Sequence, residues 1–275
     1  MDFLKHKSHL DESFQPNNIY KFIPADSEAR FKNNIKNGGR NISTLYYIEN
    51  PIEYSLNNCG FRSPDDFNSE EEGNVFLGCS HTFGIGHHLE NTWAYKVNQK
   101  IGGKFWNLGA AGTGVPTHFR FLFAYYKELK IKNIFHYAPR YPRYEFIENG
   151  LPQHYIISDY NKNWDSKFGS LMLDSLLTDE QCQMNWYIST YAIRGLASEI
   201  GCNYYLIDEQ PPWRNAHSDG SLQARDLFHH STKTHHEIYE EAINMCDSSL
   251  LDNEEIKNPI FDIENHMKSK KTSLL

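Results

Sequence analysis

Hydrophobic positions are unevenly patterned along the chain. From residue 73 onward, short apolar runs alternate with stretches whose apolar positions recur at helical spacing, whereas residues 1–72 hold neither pattern for long. Val75–Leu77 is an apolar run of strand length that stops at Gly78. A helix is expected from about His87 to Gln99, then a strand over Lys104–Asn107 and a helix from about Pro116 to Leu129. Proline suits that start, because its missing N–H would be unpaired there. Asn133–Ala138 reads as a third strand, ended by the turn chemistry of Pro139 and Pro142. A long helix follows from about Asp179 to Ile200, with Trp186, Ile193, Leu196 and Ile200 on helical spacing and Gly201 as its stop. Asn203–Ile207 is the fourth strand and Thr232–Cys246 the last helix. Strands alternating with helices predict an α/β fold with a parallel, doubly wound sheet, because parallel neighbours need crossover helices.

Outside this pattern lie three segments. Residues 1–72 read as an N-terminal extension, rich in Asn and charge, with short apolar pieces such as Leu45–Ile48; its acidic end, Asp65 to Glu72, reads as a solvated connector to the domain over 73–247. Residues 139–178 look like an insertion over the carboxyl edge of the sheet, of the size of a lid or binding loop. Residues 248–275 are a polar tail.

Charge narrows the function classes. A net charge of −8 argues against nucleic acid or an anionic membrane as the main partner, since such partners select clustered Lys and Arg. The start lacks the apolar core of a signal peptide and no run approaches transmembrane length, so the expectation is a soluble protein made in the cytoplasm, with virion association left open. Five cysteines without metal-type pair spacing fit thiols in a reducing compartment.

Candidate chemistry concentrates in three stretches. Gly78-Cys79-Ser80-His81-Thr82-Phe83-Gly84 places Ser80 on a strand-to-helix turn, where a serine becomes a nucleophile if a base reaches it; the alternative is that Ser80 merely caps the helix. Asn107-Leu108-Gly109-Ala110-Ala111-Gly112-Thr113-Gly114 follows the second strand, and its small residues let backbone approach a ligand so that the Gly112 N–H can face an oxygen. The glycine spacing is not that of a dinucleotide fingerprint, and no cofactor is implied. Asp226-x-x-His229, in a loop entering the last helix, can hold a carboxylate against an imidazole from one turn, which fixes its tautomer; the alternative is a helix cap with solvated histidines.

In these stretches the chain resembles the SGNH (GDSL-type) hydrolases over roughly residues 55–245, with weaker echoes in Asn58-x-Gly60-Phe61-Arg62 and Glu90-x-Thr92-Trp93, both typical of bacterial and phage-like members. The resemblance implies a flavodoxin-like three-layer α/β/α domain that hydrolyses acyl esters. It implies Ser80 as nucleophile, His229 as general base, Asp226 as the group orienting His229, and the N–H groups of Ser80 and Gly112 as oxyanion donors. Two departures stand out. Cys79 replaces the family's aspartate before the serine, and no asparagine follows the third strand, where the chain reads His136 to Tyr144 with Arg140 and Arg143 as the candidate replacement donors.

Rival readings are an SGNH-fold binding module without activity and a metal-dependent hydrolase built on His81, His87, His88, His229, His230, His235 and His236. No metal is implied by the preferred reading. The expected substrate is a small acyl ester, with an O-acetylated glycan suited by the aromatic insertion residues Tyr141, Tyr144, Phe146, Tyr155, Tyr160 and Trp164; transfer to a sugar hydroxyl would use the same groups.

Overall fold

The computed structural model describes residues 4–5, 14–37, 42–68, 70–139, 143–148, 151–156, 178–208 and 221–251. Its centre is a parallel sheet of β3 (Glu72–Leu77), β4 (Lys104–Asn107), β5 (Lys130–Ala138) and β8 (Asn203–Asp208), in the order β4-β3-β5-β8. The chain leaves β3 to build β4 on one side and returns to build β5 on the other. The carboxyl end of β3 is therefore a topological switch point, the place where open α/β sheets leave a crevice for ligands.

Alternation along the strands divides the core into two layers. Val75, Leu77, Trp106, Ile134 and Ala138 pack with Phe121, Leu122 and Tyr125 of α5 (Val115–Tyr125) and with Ile193 and Leu196 of α6 (Asp179–Glu199). Phe76, Phe105, Phe135 and Ile207 point the other way, onto Trp93 and Val97 of α4 (Trp93–Ile101) and Ile238 and Ala242 of α7 (Thr232–Leu251). This is an α/β/α sandwich. Burial on both faces explains why the strands read as apolar runs rather than as alternating ones.

At the amino ends of the strands a ladder of side-chain amides crosses the sheet. Asn203 donates to Asn133 at 2.9 Å, Asn133 to Asn74 at 2.7 Å, and Asn74 to Asn98 of α4 at 2.7 Å. Asn74, Asn133 and Asn203 are register partners, so a slip of either pairing would break the ladder.

Several boundaries differ from the sequence expectation. The helix expected from His87 is a 3-10 turn at Leu89–Asn91 followed by α4, whose N-cap Thr92 accepts from the Tyr95 N–H. A further four-residue helix, α3 (Ser80–Phe83), precedes it. Helix α5 stops at Tyr125, β3 and β5 begin earlier than expected, and α7 runs past Cys246 to Leu251. Within 139–178 an antiparallel hairpin forms from β6 (Arg143–Glu148) and β7 (Leu151–Ile156); residues 157–177 and 252–275, with the tail expectation, lie outside the described residues.

The N-terminal segment is folded onto the rest. It holds β1 (Ile19–Tyr20), α1 (Glu28–Asn37), α2 (Ile42–Glu49) and β2 (Tyr54–Ser55), β1 pairing antiparallel with β2. Ile23, Phe31, Tyr47, Ile52 and Tyr54 form one buried cluster with Phe83 and Ile85, the residues just after Ser80. The acidic connector is not simply solvated: the Asp65 carboxylate accepts from the Phe105 N–H at 2.8 Å, the Asp66 backbone carbonyl accepts from the indole of Trp106, and Phe67 is buried. Among the described residues, no helix is long and apolar enough to cross a membrane, and no disulfide joins the cysteines.

Candidate active site

Ser80 is the first residue of α3, at the carboxyl end of β3. The N-cap is Cys79, which makes no side-chain cap bond, so the capping role considered for Ser80 is not the one it has. The Ser80 hydroxyl has no hydrogen-bond partner among the described residues. The turn before it is tight: a Cβ added to Gly78 would come within 1.9 Å of Thr82 Oγ1. Cys79 is buried among the apolar residues of the α4–α7 side, a setting that suits a thiol.

Arg62, from the motif upstream of the acidic connector, holds α3 from the other end. Its fully buried guanidinium donates to Gly84 O at 2.6 Å, His87 O at 2.8 Å and Phe83 O at 3.2 Å, and stacks on Tyr54 at 4.5 Å. Burial lowers its pKa to about 10, which still leaves it charged at neutral pH. A cation on the last carbonyls of a helix satisfies orphan acceptors and complements the helix dipole. Gly84 ends α3 in the left-handed region at φ 80.

The Asp226–His229 loop meets this turn directly. Asp226 Oδ2 lies 2.6 Å from His229 Nδ1, and Asp226 Oδ1 accepts from the N–H groups of Phe228 at 3.0 Å and His229 at 3.1 Å. Burial works to raise the Asp226 pKa, but the imidazole and the two N–H groups outweigh it and hold the carboxyl below its ordinary value. These bonds keep Leu227 in the left-handed region at φ 57, a conformation that costs a non-glycine residue about 1–2 kcal/mol, and turn Phe228 outward, 72% exposed. His229 Nε2 has no hydrogen-bond partner among the described residues. The loop is tied to the serine side by Arg225 N–H to Gly86 O at 2.8 Å and by His87 Nε2 to His230 O at 2.6 Å. The ring of His81, next to Ser80, stacks on His230 at 3.7 Å and meets His229 edge-on at 5.3 Å.

The glycine-rich loop closes the third side. Ala110 N–H donates to Gly78 O at 3.1 Å, the Asn107 amide donates to Thr82 O at 3.0 Å, and Gly112 takes a left-handed φ of 72. Arg143 stands beside it, Nη1 donating to Thr113 O at 3.1 Å, while Arg140 lies outside the described residues. The loops carrying Ser80, Gly112 and Asp226–His229 thus converge at one rim of the sheet, and Arg143 approaches that rim from the hairpin.

Sequence reasoning missed what holds the loop bearing Asp226. Arg225 and Asp26 form a buried ion pair at 2.7 Å, Tyr54 donates to the same Asp26 oxygen at 2.5 Å, and Asn34 donates to Arg225 O at 3.2 Å. Arg30 Nη1 reaches Asp226 Oδ2 at 3.5 Å. Most of the histidines offered as metal ligands make other contacts. His87 Nδ1 meets the Tyr47 hydroxyl, His235 Nδ1 accepts from the Trp93 N–H, and His88 and His236 meet Asn50 O and Glu240. Among the described residues, no group of three or more His, Cys, Asp or Glu is arranged to hold a metal ion.

No family model matches the chain, and no curated protein matches it. Among solved structures it is similar to a candidate lipolytic protein of the G-D-S-L family from Desulfitobacterium hafniense DCB-2, at 14% identity and a TM-score of 0.35, covering 62% of this chain and 98% of that one. A second solved structure aligns at 12% identity and a TM-score of 0.26, covering 66% of this chain and 97% of the other. At such scores neither carries an argument.

Proposed function

We propose that this chain is a serine ester hydrolase of the SGNH type, with Ser80 as nucleophile, His229 as general base and Asp226 as the carboxylate that orients it. The observation that carries the reading is the 2.6 Å contact between Asp226 and His229 in a loop packed against the residue that follows Ser80. With Nδ1–H donating to Asp226, His229 keeps Nε2 as a lone-pair base. It takes the Ser80 proton as Oγ attacks an ester carbonyl, and the contact between the two forms as substrate enters. The N–H groups of Ser80 and Gly112 receive the developing oxyanion, and Arg143 supplies the further donor that an asparagine after β5 would otherwise supply. His229 gives that proton to the departing alkoxide as the ester C–O bond breaks, leaving an acyl-enzyme, and water activated by the neutral His229 then releases the acid and restores the Ser80 hydroxyl. The substrate class is a small acyl ester, an O-acetylated glycan being the one suited by Tyr144 and Phe146 on the hairpin.

Turnover of p-nitrophenyl acetate tests the reading. Wild-type protein hydrolyses it, Ser80→Ala and His229→Ala do not, and Asp226→Asn retains a residue of activity after a loss on the order of 10⁴-fold. Equal rates in the wild type and the variants reject it. The second reading, a binding module on the same scaffold, is favoured by the absence of a bond between Ser80 and His229 in this structure and predicts an inert wild type.

A further inference from the structure

We propose that Thr113, His118, His136 and Tyr204 form a one-directional hydrogen-bond relay that positions the Gly112 loop, making His118 and His136 positioning residues for the oxyanion side of the site. The inference rests on the hydrolase reading of that loop.

The chain of contacts is continuous. Tyr204 OH is 2.9 Å from His136 Nδ1, His136 Nε2 is 3.0 Å from His118 Nδ1, and His118 Nε2 is 3.2 Å from Thr113 Oγ1. Thr113 Oγ1 lies 2.8 Å from Ala110 O and 3.5 Å from Gly78 O. Thr113, His118 and His136 are fully buried.

The direction of every proton follows from the carbonyl end. Two oxygens 2.8 Å apart need a proton between them, and a carbonyl cannot donate, so the Thr113 hydroxyl gives its proton to Ala110 O. The hydroxyl then accepts from His118 Nε2–H. Both imidazoles are neutral, because burial drives the His118 pKa well below the ordinary value and the His136 pKa to about 3. Neutral His118 with a proton on Nε2 has a lone pair on Nδ1, which accepts from His136 Nε2–H. His136 Nδ1 in turn accepts from the Tyr204 hydroxyl, which burial keeps protonated. Each of the four side chains has one proton to give along the line, and each gives it toward the site.

The position of the relay suits an alignment role. Ala110, whose carbonyl takes the Thr113 proton, belongs to the loop that bears Gly112, and its N–H donates to Gly78 O in the turn that bears Ser80, so the relay acts on the residue that joins the two. The Thr113 carbonyl is held from the opposite side by Arg143. Tyr204 and His136 sit on adjacent parallel strands, two register positions apart and so on the same face of the sheet, and His118 sits on α5, so the relay refers the loop to the sheet and to the helix packed on it. A donor misplaced by about 1 Å loses on the order of a hundredfold in rate.

Two measurements on the 275-residue chain test the relay. Nitrogen-15 NMR of the histidine rings is expected to show His118 and His136 as neutral Nε2–H tautomers; an Nδ1–H tautomer at either overturns the relay whether or not the protein is active. Phosphonylation of Ser80 by a fluorophosphonate, with loss of fluoride, is expected to slow about a hundredfold in Thr113→Val, to recover in Thr113→Ser, and to slow severalfold in Tyr204→Phe, which removes only the terminal donor. A reactive wild type with Thr113→Val and Tyr204→Phe at the same rate rejects the positioning role alone. A wild type that never reacts removes the hydrolase reading and the positioning role with it, and leaves the tautomers to be read.

Discussion

The Arg225 guanidinium, one residue before Asp226, meets the Asp26 carboxylate at 2.7 Å, with both side chains buried and nearly 200 residues of chain between them. The N-terminal segment therefore reaches across the molecule to hold the loop that carries Asp226 and His229.

From this pair comes the first prediction. Asp26→Asn leaves the Arg225 charge buried beside Phe22 and Tyr54 without its counterion. Removing one partner of a buried ion pair costs about 3–5 kcal/mol. Urea unfolding followed by circular dichroism is expected to show a loss of that size, and an Asp26→Asn variant as stable as the wild type would show that the pair holds nothing.

The amide ladder gives a second expectation. Asn133→Val removes the donor to the buried Asn74 oxygen, which is left short of a partner inside the sheet, and an acceptor for the exposed Asn203. An unsatisfied buried polar group costs about 1–3 kcal/mol. The expected drop in unfolding free energy is of that order, with turnover at the distant carboxyl rim unchanged. A neutral substitution would mean that water replaces the ladder.

Acid is predicted to destabilise the fold well before the carboxylates titrate in the unfolded chain. Burial holds His87 near a pKa of about 4 and His136 near about 3, and keeps His81, His118 and His235 well below the ordinary value of 6.5. Between pH 6.5 and about 4 the unfolded chain binds more protons than the folded one, so the stability these groups contribute is complete above 6.5 and is lost as pH falls. His87 alone contributes roughly 3 kcal/mol across that window, at about 1.4 kcal/mol per pKa unit. Glu145 adds a further loss from pH 4.5 toward 2. Burial works to raise its pKa, but His154 and Arg120 hold it down to about 2. Urea midpoints measured from pH 7.5 to 4 are expected to fall steeply below pH 6.5; a flat profile contradicts the neutral, buried state of these rings.

The elements that positional patterning marks best are those buried on both faces. Phe105 and Trp106 point to opposite helical layers, so β4 appears in the sequence as an apolar run with its observed bounds, and α6 shows itself through Trp186, Ile193 and Leu196 on one face. The N-terminal elements are hard to read for the same physical reason. Helix α1 buries only Phe31, and much of what fixes that segment is polar: Asp26, Arg62 and Arg225 satisfied by partners far away in the chain. A charged residue that will be buried looks like a surface residue until its partner is known. The candidate site is legible where its geometry is local, as in the Asp226–His229 turn. It is illegible where it depends on contacts between layers, as with Thr113, His118 and His136.

The account centres on the reactivity of the Ser80 hydroxyl, which intact-protein mass spectrometry after exposure to a fluorophosphonate reads most directly. One adduct is expected in the wild type, mapping to Ser80 by peptide analysis, absent in Ser80→Ala and formed at least a hundredfold more slowly in His229→Ala. A wild type that stays unmodified, or an adduct whose rate is indifferent to His229, contradicts the assignment.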